Sequence, residues 1–180
     1  MKKLNISLIL GTARQGRNSE HVAQYIFELL KERKNIDFEF VDVRNYIFFP
    51  RTIPPWEHDD AAKPWREVVK KADAFIIVTP EYNHGYPGEL KMLLDQELKA
   101  YKDKPVLVVG VSNGGFGGVR MIEHLIPSLR YMGFRVLPND VQVSKVEDFV
   151  KMNNMERDAL LKERLTKLVD EIISILNHTS

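Results

Sequence analysis

The stretch Ala74-Phe75-Ile76-Ile77-Val78-Thr79-Pro80-Glu81-Tyr82-Asn83-His84-Gly85-Tyr86-Pro87-Gly88 decides the fold. Its first five residues are apolar without alternation, which reads as a strand buried on both faces. From Gly88 to Leu94 the pattern reads as the start of a helix, with Pro87 suited to its entry. Between them lies an elaborate turn with two tyrosines, an Asn, a His and a Gly beside two prolines. Open α/β sheets bind ligands at such carboxyl ends of buried parallel strands. A turn of this composition offers flat apolar surface together with fixed backbone donors, the two things a flat heteroaromatic ligand requires.

Working outward, strands and helices alternate along the chain. Strands are expected near Leu4–Leu10, Asp37–Val43, Ala74–Thr79 and Pro105–Val111. A fifth begins at Phe134–Leu137, with Val141–Val143 as an extension. Helices are expected near Ser19–Arg33, Ala61–Lys71, Gly88 onward, Val119–Met132 and Met155–Leu176. Asn18 or Ser19 can cap the first. Five strands with intervening helices fit α/β architecture of the flavodoxin-like kind: a three-layer sandwich, parallel order 2-1-3-4-5, helices on both faces. A chain of 180 residues fits a single domain, residues 1–180, and no repeat or linker interrupts it.

The charge balance is 26 basic to 25 acidic residues, which implies no strongly basic face and no nucleic-acid partner. Without cysteine there is no disulfide, thiol nucleophile or thiolate metal site. Met1-Lys2-Lys3 and the apolar run after it superficially resemble a signal peptide. Asn5 and Ser7 interrupt that run, and a first strand is the better reading. No run approaches membrane-spanning length, so the expectation is a cytoplasmic protein without a membrane partner.

The unusual residues follow strands one, three and four, which are neighbours in a 2-1-3-4-5 sheet. Three loops therefore emerge at one sheet edge, around the switch point. The first is Gly11-Thr12-Ala13-Arg14-Gln15-Gly16-Arg17-Asn18-Ser19. It leads into a helix N-terminus, where free N–H groups and the dipole favour an anion. Thr12, Asn18 and Ser19 add donors, and Arg14 and Arg17 add charge. It is neither a P-loop nor Gly-x-Gly-x-x-Gly, and a terminal phosphate suits it better than a pyrophosphate. Taken alone, it reads equally as a plain strand–helix turn with solvated arginines. The second loop is the opening turn, which by itself is also an aromatic cover for the core or a subunit contact. The third, Ser112-Asn113-Gly114-Gly115-Phe116-Gly117-Gly118, has four glycines in five positions. It reads as a flexible connection or as backbone made to approach a ligand closely.

Pro80-Glu81-Tyr82-Asn83-His84-Gly85-Tyr86-Pro87-Gly88-Glu89-Leu90-Lys91 resembles the signature of the NADPH-dependent FMN reductase family, and the resemblance runs from about Leu4 to Leu137. That family comprises flavodoxin-like reductases of flavins, quinones, azo dyes and chromate. The resemblance implies FMN as cofactor, with NADPH or NADH as co-substrate. It implies that the first loop holds the FMN phosphate, with Thr12, Arg14, Asn18 and Ser19 at matching positions. Pro80, Glu81, Tyr82 and Asn83 would meet the isoalloxazine ring, largely through backbone. Ser112, Gly114, Gly117 and Gly118 match the family's Ser-x-Gly-x-x-Gly-Gly, on the pyrimidine side, and Asn113 and Gly115 lie within it. His84 touches substrate or is a hydrogen-bonded structural histidine. No side chain is expected to be catalytic, because hydride transfer to flavin N5 needs no protein base. Glu81 reads as structural. The implied scheme is ping-pong, with small electron acceptors: free flavin, quinones, azo compounds or metal oxyanions. The sequence departs from many members at Met92, where Asn is usual, and at Gln96, where Trp is usual.

The resemblance also implies a homodimer or homotetramer; the apolar connection Tyr46–Trp56 reads as a lid or a dimer contact, and an interface is the working expectation. The histidines have no metal-ligand spacing, so no metal site is expected. A Gly-x-Ser-x-Gly elbow is absent, and Gly11-Thr12 and Thr79-Pro80 stand where a phospho-receiver needs acids. The rivals that remain are a flavodoxin-type electron carrier and a silent flavodoxin-like subunit without flavin. Carriers surround their flavin with acids, whereas Glu81 is the only acid in the three loops.

Overall fold

The computed structural model describes residues 3–47 and 52–178. Six parallel strands form one sheet: β1 Leu4–Leu10, β2 Ile36–Asp42, β3 Ala74–Pro80, β4 Pro105–Val111, β5 Arg135–Val136 and β6 Val141–Val143. The order is β2-β1-β3-β4-β5, with β6 also paired to β4. The expected fifth strand is thus two pieces against one neighbour. Val136 pairs with Val106, and Val141 with Val109. Pro138 lies between the pieces and lacks the N–H a continuous ladder needs.

Helices cover both faces: α1 Ser19–Leu30, α2 Lys63–Lys71, α3 Gly88–Leu94, α4 Val119–Tyr131, α5 Val146–Lys151, α6 Asn154–Arg157 and α7 Glu163–His178. The two-residue period of the strands divides the core in two. Ile6, Leu8, Leu10, Ile76 and Val78 pack with α1, α5 and α7. Ile9, Phe75, Ile77 and Val108 pack with α2, α3 and α4. Burial on both faces is why β3 and β4 are largely apolar runs, and why β1 is apolar apart from Asn5 and Ser7.

Several element ends differ from expectation, most of them by one or two residues, and the larger differences have physical reasons. Helix α1 stops at Leu30, not Arg33, because Lys31–Lys34 offers nothing apolar to bury and the chain turns into β2. Helix α5 was not foreseen. The expected Met155–Leu176 helix starts one residue earlier at a capping box between Asn153 and Glu156, and passes through a π turn at Asp158–Lys162.

The apolar connection after β2 is held by two side chains. The Arg66 guanidinium donates to the carbonyls of Pro54, Glu57 and Gln96 at 2.9, 2.7 and 2.8 Å. Gln96, one of the two departures from the family pattern, is buried and donates to the Tyr46 carbonyl at 3.0 Å. Phe48, Phe49, Pro50 and Arg51 of this connection lie outside the described residues. Among the described residues, no helix is long and apolar enough to cross a membrane.

Candidate functional site

The three loops meet at the carboxyl edge of β1, β3 and β4 and enclose a crevice of about 270 Å³. Arg14, Arg17, Asn18 and Ser19 line it from the first loop, Pro80, Glu81 and Tyr82 from the second, and Ser112 and Asn113 from the third. Val146 and Glu147, at the start of α5, complete the wall. Glu147 accepts a hydrogen bond from the Asn113 amide at 2.9 Å. That contribution has no signal in the sequence, because six-residue α5 is too short for a periodic pattern to stand out.

Tyr82 joins the first two loops. Its hydroxyl hydrogen-bonds Thr12 Oγ1 at 2.8 Å, and its ring carries the Arg14 guanidinium 5.5 Å from the centroid. Glu89 in α3 secures the same junction, accepting from the Ala13 amide at 2.9 Å and, more distantly, from Thr12 Oγ1 at 3.4 Å. Thr12 is therefore a buried link beneath the crevice, with its hydroxyl already engaged. Asn83 and His84 form the tip of a two-residue turn closed by reciprocal bonds between Tyr82 and Gly85 at 2.9 Å. Both have positive φ, 49° and 67°, the signature of a type I′ turn. They are exposed and stand off the crevice wall.

Arg17 plays a different part from the one expected of it. Its side chain is 1 % exposed. Nη1 donates to Asp42 Oδ1 at 3.0 Å and to the Thr12 carbonyl, and Nη2 donates to Asp42 Oδ2. The guanidinium is thus part of the scaffold that shapes the first loop, and is not a free phosphate donor. Burial works against the charge on Asp42, but hydrogen bonds from Arg17 and Arg44 outweigh it and hold the carboxyl far below the usual carboxylate range.

The glycines of the third loop divide in the same way. A Cβ on Gly117 would stand 2.5 Å from Gln142 Cβ, so the protein itself demands glycine there. Gly118 adopts φ 84° where α4 begins. By contrast, Gly115 has nothing within 4 Å of a Cβ, and Gly114 only Ser112 Oγ at 4.0 Å. Among the described residues, no packing accounts for those two.

The crevice has the donors an anion needs. Among the described residues, Ser19 Oγ is buried without a partner. The Arg14 guanidinium makes no hydrogen bond among the described residues, and the amides of Asn18 and Ser19 open α1 without an acceptor. Together these groups fit a phosphate monoester at a helix N-terminus. Among the described residues, Glu81 Oε2 is another buried atom without a partner, an acceptor on the wall contributed by the second loop. Among the described residues, no cluster of three acidic or histidine side chains could hold a metal ion.

A parallel sheet of this order, with its crevice at the switch point, defines a flavodoxin-like protein. In three dimensions the chain is similar to a flavodoxin from Pseudomonas aeruginosa, with TM-score 0.63 and 16 % identity, covering 94 % of this chain and 99 % of that one. Residues 4–148 match the family model of the NADPH-dependent FMN reductases, and the chain belongs to that family. It is 32 % identical over 143 residues to an NAD(P)H-dependent FMN reductase of Schizosaccharomyces pombe, covering 74 % of this chain and 69 % of that protein. It is 25 % identical over 161 residues to a 2-hydroxy-1,4-benzoquinone reductase of a Burkholderia species, covering 87 % and 83 %. The class is thus an oxidoreductase with FMN as cofactor and NAD(P)H as reductant.

Two substitutions separate ligand contact from scaffold. Arg14→Ala is expected to weaken FMN binding by ~1.5–3 kcal/mol, the worth of a charged hydrogen bond. Calorimetry giving an unchanged FMN affinity would remove Arg14 from the phosphate end. Ser19→Ala is expected to leave the FMN-free protein as stable or slightly more so, because it deletes a buried hydroxyl that has no partner. The same change should lower FMN affinity by roughly 1 kcal/mol. Thermal melts with and without FMN test both signs; loss of stability in the free protein would place Ser19 in the scaffold.

Proposed function

We propose that this chain carries out two-step, ping-pong electron transfer from NAD(P)H to small acceptors (flavins, quinones, azo compounds or metal oxyanions) over FMN held in the three-loop crevice. FMN, when bound, supplies the centre that takes hydride and passes electrons on. The chain's own residues bind and orient. Arg14, Ser19 and the start of α1 hold the phosphate end, while Thr12 fixes Tyr82 at the rim. The backbones from Pro80 to Tyr82 and from Ser112 to Asn113 border the ring, Gly114 and Gly115 leave room beside it, and the Asn83–His84 tip overlooks the acceptor's space. No side chain has to move a proton during hydride transfer.

The observation that carries this reading is the partnerless, buried Ser19 hydroxyl in a crevice built from the three loops of this family. The surroundings favour an enzyme over an electron carrier, since Arg14 and Arg120 bring positive charge to the crevice region and, among the described residues, neither side chain makes a hydrogen bond. The test is to load the protein with FMN, remove free flavin and oxygen, and mix it with NADPH or NADH in a stopped-flow spectrometer. Rapid bleaching is expected. Flavin bleached by dithionite but by neither nucleotide would indicate a carrier, and no retained flavin would indicate a silent subunit.

We also infer a homodimer or homotetramer, acting as a single-domain cytoplasmic protein. A second cavity of about 650 Å³ opens between the Thr52–Trp56 segment, α3 and α4. Trp56 and Tyr131 stand at it 76 % and 86 % exposed, which suits cover by another copy. Light scattering at micromolar concentration should give at least twice the 20.9 kDa chain mass; a monomeric mass would refute the assignment.

A further inference from the structure

Two arginines sit over aromatic rings near the crevice, and FMN's phosphate accounts for only one. The second is Arg120, whose guanidinium sits 5.2 Å from the centroid of Phe116. Arg120 follows Val119 in the first turn of α4, where the helix dipole disfavours a cation. Its nearest carboxylate is Glu81 Oε1 at 3.8 Å, attractive but beyond hydrogen-bonding distance. Among the described residues, its side chain makes no hydrogen bond. The contrast with Arg17, whose donors are engaged by Asp42, Thr12 and Glu20, is direct. The Arg120 side chain is 48 % exposed and Phe116 65 % exposed.

This exposed pair is not a loose loop end. The Phe116 carbonyl accepts from Val119 N at 3.2 Å, and the next residue, Gly117, is wedged against Gln142. The ring therefore projects outward from an anchored backbone. Lone exposed aromatics are ordinary. An aromatic that holds a guanidinium with free donors, beside a residue of the crevice wall, is a prepared anion platform.

We propose that Arg120, positioned by Phe116 and Glu81, is the docking cation for the phosphates of the nicotinamide nucleotide. The inference rests on the reductase reading, in which FMN's single phosphate is held by the first loop. A second anionic substrate must then approach from another side, and a guanidinium can bind its phosphate oxygens bidentately. Glu81 keeps Arg120 turned toward the crevice without engaging it.

The experiment titrates oxidised NADP⁺, which cannot reduce the flavin, into FMN-loaded protein at low ionic strength and follows the flavin absorbance. Arg120→Ala should raise the NADP⁺ dissociation constant about tenfold or more, as loss of a charged hydrogen bond implies. It should also flatten the salt dependence of binding. Arg120→Lys should recover part of the loss, because charge remains without the planar fork. The FMN dissociation constant, measured in parallel, should not follow. The double variant Glu81→Gln/Arg120→Ala should stay weak. If it regains affinity, the single variant acted by exposing the Glu81 carboxylate, and the proposal fails. An unchanged NADP⁺ constant, or equal losses for NADP⁺ and FMN, overturns it too. Wild-type protein that retains no FMN would instead sink the reductase reading beneath it.

Discussion

Asp42→Ala should lower the unfolding free energy by about 3–5 kcal/mol, the range for breaking a buried ion pair from one side. The size follows from what is left behind. Arg17 is 1 % exposed and would keep only the Thr12 carbonyl and the distant Glu20. A guanidinium cannot escape by losing its proton. Urea denaturation measures the effect, and a loss under about 1 kcal/mol, typical of a surface pair, would show that the pair contributes little. The pH dependence has a definite sign. The folded Asp42 carboxyl titrates far below its unfolded value of about 3.9. Its contribution is therefore complete above that value and is lost as the pH falls below it. The wild-type protein should lose stability through this acid limb more steeply than Asp42→Ala does.

The second large effect is expected at Gly117. An alanine there adds a Cβ 2.5 Å from Gln142 Cβ and 2.8 Å from its carbonyl carbon, at φ 59°. Overpacking and left-handed strain together should cost about 2–4 kcal/mol. Backbone and the root of a side chain cannot swing aside as a flexible chain end would. Gly115→Ala is the control. With nothing within 4 Å, it should leave the unfolding midpoint nearly unchanged. If Gly115 faces the flavin, it should still weaken FMN binding. Equal destabilisation by both substitutions would mean that the loop has no rigid half.

Much of this was legible before the structure. Strands β1 and β4 have the bounds read from their apolar runs, and β3 differs by one residue, because a strand buried on both faces leaves a dense apolar signal even where, as in β1, two polar residues interrupt it. Placing the three loops at one edge required only the strand order. What escaped was contact chemistry. Arg14 and Arg17 look alike in sequence, yet one is free and the other is buried against a carboxylate 25 residues away. A clue did exist: Asp42 ends β2 and pairs in register with Leu10, just before the first loop, so the 2-1 adjacency puts an acid beside it. The glycines were similarly ambiguous, since composition cannot separate one demanded by Gln142 from one left open. Helix α5 is six residues long, too short for a periodic pattern to stand out.

The split of the last strand has a consequence for the protein in a crowded solution. A sheet edge is a row of unpaired N–H and C=O groups, ready to recruit a foreign strand. Here the β4 side ends in pieces of two and three residues around Pro138, too short and too broken to template a long partner. The other edge is seven-residue β2, which carries Asp37 and Glu39. Antiparallel pairing of two such edges would bring carboxylates toward carboxylates, so one border is guarded by interruption and the other by like charge, and growth into a stacked fibre has no starting point at either.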